Sequence, residues 1–298
     1  MRSSGMGKGP MVASSSPTAL KRWIAFELRR LREVSGRTRQ EAAARLGRTV
    51  AQIGHLETGR NLPSVGDVEV LLTWYGYPDR IESFRDLVKR AKKGRDWWIG
   101  FADAVPDYFG LFLALEAAAA QLQSYDALVV PGILQTPAYA QAIIHAGARG
   151  QPDHEIARRV ELRMARQQLV ERTNEPMQVW TILDEAALQR HVGGAAVMRE
   201  QLERLVKLAE RPNIDIQVLP ASVGAHAGTE GSFTLLTFPA ELHSDPGVVY
   251  VETRVRGIYY EDPTEIQLYR QALTRLQVQA LTPDESPAMI QRIAEELR

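Results

Sequence analysis

The sequence contains no cysteine, which excludes a disulfide framework, a thiolate zinc site and a cysteine nucleophile, and suits a reducing compartment. No apolar run reaches the roughly 18 residues a membrane span requires, and the segment from Met1 to Pro17 lacks the apolar centre of a signal peptide. A cytoplasmic protein without a membrane partner is therefore expected. Net charge is absent as well, but only in the sum. Residues 1–95 carry 19 Lys and Arg against 9 Asp and Glu, whereas the remaining residues carry 17 against 27. A basic first third beside an acidic remainder points to an anionic partner for that third alone, and nucleic acid fits best.

What is present is enough apolar material for two folded units: 298 residues, of which 45% are hydrophobic. Residues 1–18 are rich in Ser, Gly and small side chains without a hydrophobic period, so a disordered tail is expected there. From Leu20, apolar residues recur at Ile24, Leu28 and Leu31, the spacing of one helix face. Gly36 ends that helix, and Thr38 with Glu41 forms a capping box for a second helix over about Arg39 to Leu46. Gly47 stops it, and Thr49 caps a third helix with Val50, Ile53 and Leu56 on one side. Gly59 closes the third, Leu62-Pro63-Ser64 leads into a fourth, and a basic fifth runs from about Ile81 to Lys93.

Residues 94–110 read as a junction between domains. Beyond it an Ala- and Leu-rich stretch from Tyr108 to Ser124 predicts a helix, followed by helices from Thr136-Pro137 to about Ala146, Arg158 to Glu171 and Ala195 to Glu210. Strand patterns occupy Gln178 to Leu183, Ile214 to Leu219, Ser232 to Phe238, Val248 to Glu252 and Val255 to Tyr260, and helices over Glu265 to Leu281 and Pro287 to Leu297 close the chain. The two types do not alternate regularly, which argues α+β rather than a doubly wound sheet.

The run Thr38 to Arg60 has the parts of a helix-turn-helix: small Ala43 where two helices approach, Gly47 in the turn, and Ile53 and Leu56 locking the second helix of the motif inward. Together with Leu28-Arg29-Arg30-Leu31-Arg32-Glu33 and Leu56-Glu57-Thr58-Gly59-Arg60, it resembles the XRE, or lambda-repressor-like, five-helix domain over residues 20–76. Ala42 departs from the family, which usually places Leu there. The resemblance implies base reading in the major groove by Thr49, Val50, Ala51, Gln52 and His55. Gln52 suits a bidentate pair with adenine, His55 a guanine or a phosphate, and Val50 or Ala51 a thymine methyl. Arg39, Arg48 and Arg60 are assigned to phosphates, which add affinity and salt dependence but no sequence information. Arg32 and Glu57 match a structural pair of that family.

Farther on, the run from Val130 to Ala140, with its Pro131-Gly132-Ile133-Leu134-Gln135-Thr136 core, resembles a signature that follows XRE motifs in actinomycete regulators. Blocks at Arg163 to Leu169, Leu183 to Leu188, Val192-Gly193-Gly194, Gln217 to Pro220 and Gly231-Ser232-Phe233 extend the likeness, and the nearest named group is the WhiJ-like family of developmental and antitoxin-like proteins. That resemblance implies regulation of differentiation or secondary metabolism, with a small neighbour-encoded protein as partner. Pro131, Gly132, Gln135 and Tyr139 are candidates for a ligand or partner surface, although a turn followed by a helix start would read the same.

Catalysis is not expected. Five histidines, His145, His154, His191, His226 and His243, lie without the spacing or clustered carboxylates of a metal site, and only a meeting of His226, His243 and Glu230 across a hairpin would gather ligands. The Gly-rich run from Gly224 to Gly231 precedes a strand pattern rather than a helix and is no phosphate loop. No cofactor is expected. The reading is α+β overall: a tail over 1–18, an all-α five-helix DNA-binding domain over 19–95, and a mixed α+β regulatory domain over 96–298. It describes a homodimeric, sequence-specific transcriptional regulator, a repressor, on an inverted-repeat double-stranded DNA operator. Two alternatives stay open: an antitoxin-like protein that chiefly holds a small partner, and a repressor that senses a small molecule.

Overall fold

A computed structural model describes residues 16–148, 150–239 and 245–297. The expected tail up to residue 15 and His243 lie outside the described residues. In chain order the elements are α1 (Pro17–Val34), α2 (Arg39–Leu46), α3 (Val50–Glu57), α4 (Val65–Tyr75), α5 (Ile81–Lys93), α6 (Gly110–Ala118), β1 (Gln121–Asp126), α7 (Pro137–Gly147), α8 (Asp153–Arg166), α9 (Gln168–Glu171), β2 (Gln178–Asp184), α10 (Glu185–Gln189), α11 (Ala195–Ala209), β3 (Ile214–Leu219), β4 (Phe233–Thr237), β5 (Val248–Glu252), β6 (Gly257–Tyr260), α12 (Pro263–Gln279) and α13 (Ser286–Glu296). The strands form one sheet in the order β3-β2-β1-β4-β5-β6. The architecture is the α+β arrangement expected from the sequence.

Two compact units divide the chain, one made of Ser14–Gln123 with Ser232–Thr274, the other chiefly of Ser124–Gly231 with Arg275–Arg298. The first holds α1 to α6. Ser16 caps α1 by accepting the Ala19 N–H, and Pro17 fills the first turn, so the helix opens three residues before Leu20. Trp23, Ile24, Leu28 and Leu31 from α1 meet Ile53, Leu56, Leu72 and Phe84 in a buried core, with the Trp23 and Phe84 rings 5.3 Å apart. Farther along the same unit, β4 pairs antiparallel with β5, and β5 with β6.

The stretch from Tyr108 to Ser124 does not form the single helix that its Ala and Leu content predicts. α6 ends at Ala118, Ala119 is extended, the Ala120 N–H donates to Thr237 O at 2.9 Å, and Gln121–Asp126 becomes β1. The cause is visible in the side chains. Leu122 and Ser124 are buried while Gln121 and Gln123 are half-buried, a period of two that sheet pairing favours over helix continuation. The helix expected over Arg158 to Glu171 starts earlier, at Asp153, and is interrupted at Gln167 between α8 and α9.

In the second unit β2 and β3 run parallel, Val179 opposite Ile214 and Asp184 opposite Leu219, joined through α10 and α11. A crossover helix on a parallel pair is the expected connection. The backbone from Val130 to Thr136 makes one short turn, Gly132–Leu134, and is largely buried here, and side-chain amides satisfy groups that the turn leaves over. Gln201 Oε1 accepts the Thr136 N–H at 2.7 Å while its Nε2 donates to Leu134 O at 3.0 Å. Gln135 Nε2 donates to Val130 O at 2.7 Å, Gln167 Nε2 donates to Gln135 O at 2.6 Å, and the Val130 N–H donates to the Tyr139 hydroxyl at 3.2 Å.

Also in this unit, the Ser124 and Thr181 hydroxyls donate to Asp126 Oδ2 at 2.6 and 3.0 Å. Loss of surrounding water pushes the Asp126 carboxyl up to about 6, against the lowering effect of those two bonds.

Two stability outcomes follow from these contacts. Gln201→Met leaves the Thr136 N–H and Leu134 O buried without partners and should cost about 2–5 kcal/mol, read as a lower urea midpoint. Because the folded-state pKa of Asp126 lies above its ordinary value, the group favours folding at low pH, and that contribution is lost as pH rises from about 4 through about 6. Asp126→Asn should therefore gain relative stability at pH 8 over pH 4, in urea titrations at both pH values.

Candidate nucleic-acid interface

The second and third helices are built from caps inward. Thr38 Oγ1 accepts the Glu41 N–H at 3.2 Å and Glu41 accepts the Thr38 N–H at 2.8 Å, which opens α2. Gly47 takes a left-handed conformation, φ 62° and ψ 36°, so that the Arg48 N–H reaches Ala43 O at 2.9 Å and closes it. Two residues later Thr49 and Gln52 repeat the capping box: Thr49 Oγ1 accepts the Gln52 N–H at 3.2 Å, and Gln52 Oε1 accepts the Thr49 N–H at 2.9 Å. The turn between α2 and α3 is thus fixed from both sides.

α3 then separates its faces. Ile53 and Leu56 are buried and Glu57 is 6% exposed, while Thr49, Val50, Ala51 and Gln52 are exposed and His55 is half-buried. Arg60 Nη1 lies 3.3 Å from His55 Nε2, so the two side chains meet at this end of the helix. Lys21 Nζ donates to the Arg60 carbonyl at 3.0 Å, joining α1 to the same end of α3.

Glu57 holds the inner side. Arg32 donates to it from Nε at 2.5 Å and Nη2 at 3.1 Å, and Arg39 donates from Nε at 2.7 Å. One carboxylate therefore ties α1, the start of α2 and α3 together. Arg32 Nη1 also donates to Arg37 O at 2.7 Å, so the chain leaving α1 is held by the same guanidinium. Arg48 places Nη2 at 2.7 Å from both Asp67 oxygens, and Asp67 Oδ2 in turn accepts the Ser64 N–H at 2.8 Å. This second pair joins the α2–α3 turn to the start of α4.

The structure thus brings Thr49 and Gln52, His55 and Arg60, and Arg32, Arg39 and Glu57 into three contacts, and gives Arg48 a carboxylate partner. Asp67 is a residue the sequence reading missed, although the Ser64 to Asp67 spacing is that of a capping box; Lys21 carries no comparable signal. In the other unit, Gln135 and Tyr139 lie inside rather than on a surface, 2% and 0% exposed, with Pro131 and Gly132 half-buried beside them. His226 Nδ1 accepts the Gly228 N–H at 3.1 Å and its Nε2 lies 3.7 Å from Asp184, while Glu230 is exposed.

Two capped short helices joined by a glycine turn, the second with an outward polar edge, define a DNA-binding regulator of the helix-turn-helix class. Residues 23–82 match the family model described as a helix-turn-helix domain. Residues 109–292 match the domain of unknown function DUF5753, and the chain belongs to that family. Neither the curated proteins nor the solved structures contain a match to the chain.

Removal of Arg32 tests the inner scaffold. Arg32→Met leaves a buried carboxylate with Arg39 alone and should destabilise the DNA-binding helices by about 3–5 kcal/mol. Thermal unfolding followed by the fluorescence of Trp23 and Trp74 would register it; an unchanged midpoint would show that Arg39 suffices.

Proposed function

We propose that the chain is a sequence-specific transcriptional regulator that lays α3 in the major groove and reads bases with Thr49, Val50, Ala51, Gln52 and His55. The observation that carries this is the division of α3: Ile53, Leu56 and Glu57 are held inside, and the capped N-terminal half of the helix is left outward. Gln52 can cap and read at once. Its carbonyl oxygen has a second lone pair beside the one given to Thr49, and its amide nitrogen has two donors, so the pairing with adenine remains open. His55 would bring a ring nitrogen to a base edge, guanine among them, or to a phosphate.

Phosphate contacts fall to Arg60, and to the guanidinium nitrogens that Arg39 and Arg48 do not spend on Glu57 and Asp67. A two-fold dimer on an inverted repeat, acting as a repressor, is the working form of this reading, with half-sites about one helical turn apart.

Binding profiles across randomised duplex DNA test it. Gln52→Ala and His55→Ala should each relax one position of the preferred site at a cost of about 1–3 kcal/mol. Arg60→Ala should weaken all sequences together and lower the slope of log affinity against log salt by about one. Profiles that both recognition-helix variants leave unchanged would sink the assignment.

A further inference from the structure

α1 carries a buried arginine that reads nothing. The Arg22 side chain is 12% exposed, Nη1 donates to Asp245 Oδ2 at 2.6 Å, Nε donates to Glu261, and the guanidinium carbon lies 5.5 Å from the centre of the Phe238 ring. The Asp245 carboxylate is fully buried, and its Oδ1 accepts the Gly247 N–H at 2.9 Å. Asp245 precedes β5 and Glu261 follows β6, both inside the stretch that matches DUF5753, whereas Arg22 lies on the helix that opens the DNA-binding bundle. All three belong to the same compact unit.

The backbone of Arg22 also abuts the end of the recognition helix. Gly59, with φ 68°, lies beside α1, where a Cβ would be in ordinary van der Waals contact, 3.6 Å from the Lys21 carbonyl oxygen and 3.7 Å from the Arg22 Cα. Lys21 then holds Arg60 O, and Arg60 holds His55. From Asp245 to His55 the contacts are continuous and short.

We propose that Arg22, Asp245 and Glu261 form a latch through which the β5–β6 hairpin sets the position of the C-terminal end of α3 and so regulates DNA binding. The proposal rests on α3 being the reading helix. The chemistry suits a latch better than a staple. Two carboxylates share one guanidinium, whose Nη2 is buried without a hydrogen-bond partner among the described residues, and burial raises the Asp245 carboxyl although Arg22 lowers it. Such a group gains little net stability from its charges, yet it tolerates few alternative arrangements, which makes it a device for register. A ligand or partner that drew either carboxylate away would leave Arg22 buried with one, and α1 would have to move.

The test uses the full chain and a duplex selected from randomised DNA. In Asp245→Asn and Glu261→Gln, amide hydrogen exchange followed by mass spectrometry should accelerate around residues 18–25 and, beyond them, at 54–61. Affinity for the selected duplex should fall by about tenfold with the base-preference profile retained. Faster exchange confined to residues 18–25 and 245–252, with affinity as in the parent, would overturn the latch. If Asp245→Asn fails to fold by far-UV circular dichroism, Glu261→Gln, with its half-exposed side chain, carries the same comparison. Should Gln52→Ala and His55→Ala leave base preference untouched, the reading of α3 fails on its own, and the exchange at 54–61 still decides whether the latch exists.

Discussion

The buried carboxylate of Glu57 is the constraint on which the DNA-binding bundle depends. An ionised group at 6% exposure is tolerable only with charged donors in place, and Arg32 and Arg39 supply them from two other helices. The pairing therefore dictates where α1, α2 and α3 must lie. Apolar contacts among Leu28, Leu31, Ile53 and Leu56 provide the attraction but allow sliding; the two guanidiniums do not, because a shift of one helical turn would strand the charge. The rotation of α3 about its axis follows. Once Glu57, Ile53 and Leu56 face inward, Gln52 and the outer edge have no choice of side.

That logic explains why the helical bundle α1 to α5 is so legible in the sequence. Its boundaries are set by local chemistry: Thr38 with Glu41, Thr49 with Gln52, and glycines at 36, 47 and 59 with positive φ, all within four residues of the helix ends they fix. The bounds of α2 and α5 and the cap of α3 can be read off directly. α1 was read three residues short because Ser16-Pro17 lies before the first apolar residue of the period. What stayed hidden were partners far apart in sequence. Nothing in the vicinity of Arg22 announces Asp245, and nothing near Arg48 announces that the N3 residue of another capping box will also be its counterion.

The second unit shows the opposite balance. The Pro-Gly-Ile-Leu-Gln-Thr run stands out as a motif, and its polar residues suggest a surface. Gln135 is nonetheless buried, as are Gln167 and Gln201, because a backbone that makes a single short turn, Gly132–Leu134, between Val130 and Thr136 must find most of its donors and acceptors elsewhere. A glutamine amide offers an acceptor oxygen and two donors on a flexible stem, which lets it bridge backbone groups of opposite kind two residues apart, as Gln201 does for Thr136 N–H and Leu134 O. A sequence pattern cannot separate this use of polar residues from ligand binding, since both require fixed polar groups at fixed spacing. β1, which opens within the first unit, escapes the sequence pattern for a related reason. The helical signal of its Ala- and Leu-rich approach is strong and local, whereas the strand depends on neighbours that arrive far along the chain, such as Thr237 beside Ala120.

The charge asymmetry also has a finer meaning in three dimensions. Acidic residues of the first 95 are largely committed to geometry: Glu27 takes Arg30 and Arg80, Glu57 takes Arg32 and Arg39, Asp67 takes Arg48, and Glu69 takes Arg85. These pairs leave the net charge of the segment unchanged but divide its cations into two populations. Those on the buried carboxylates of Glu27, Glu57 and Asp67 set shape and are little screened by salt. Those outside such pairs, such as Lys21 and Arg60 at the end of α3 and the run of Lys92, Lys93 and Arg95, leave the segment a basic excess that salt screens readily. Salt should therefore weaken an anionic partner's hold on the domain well before it loosens the bundle itself.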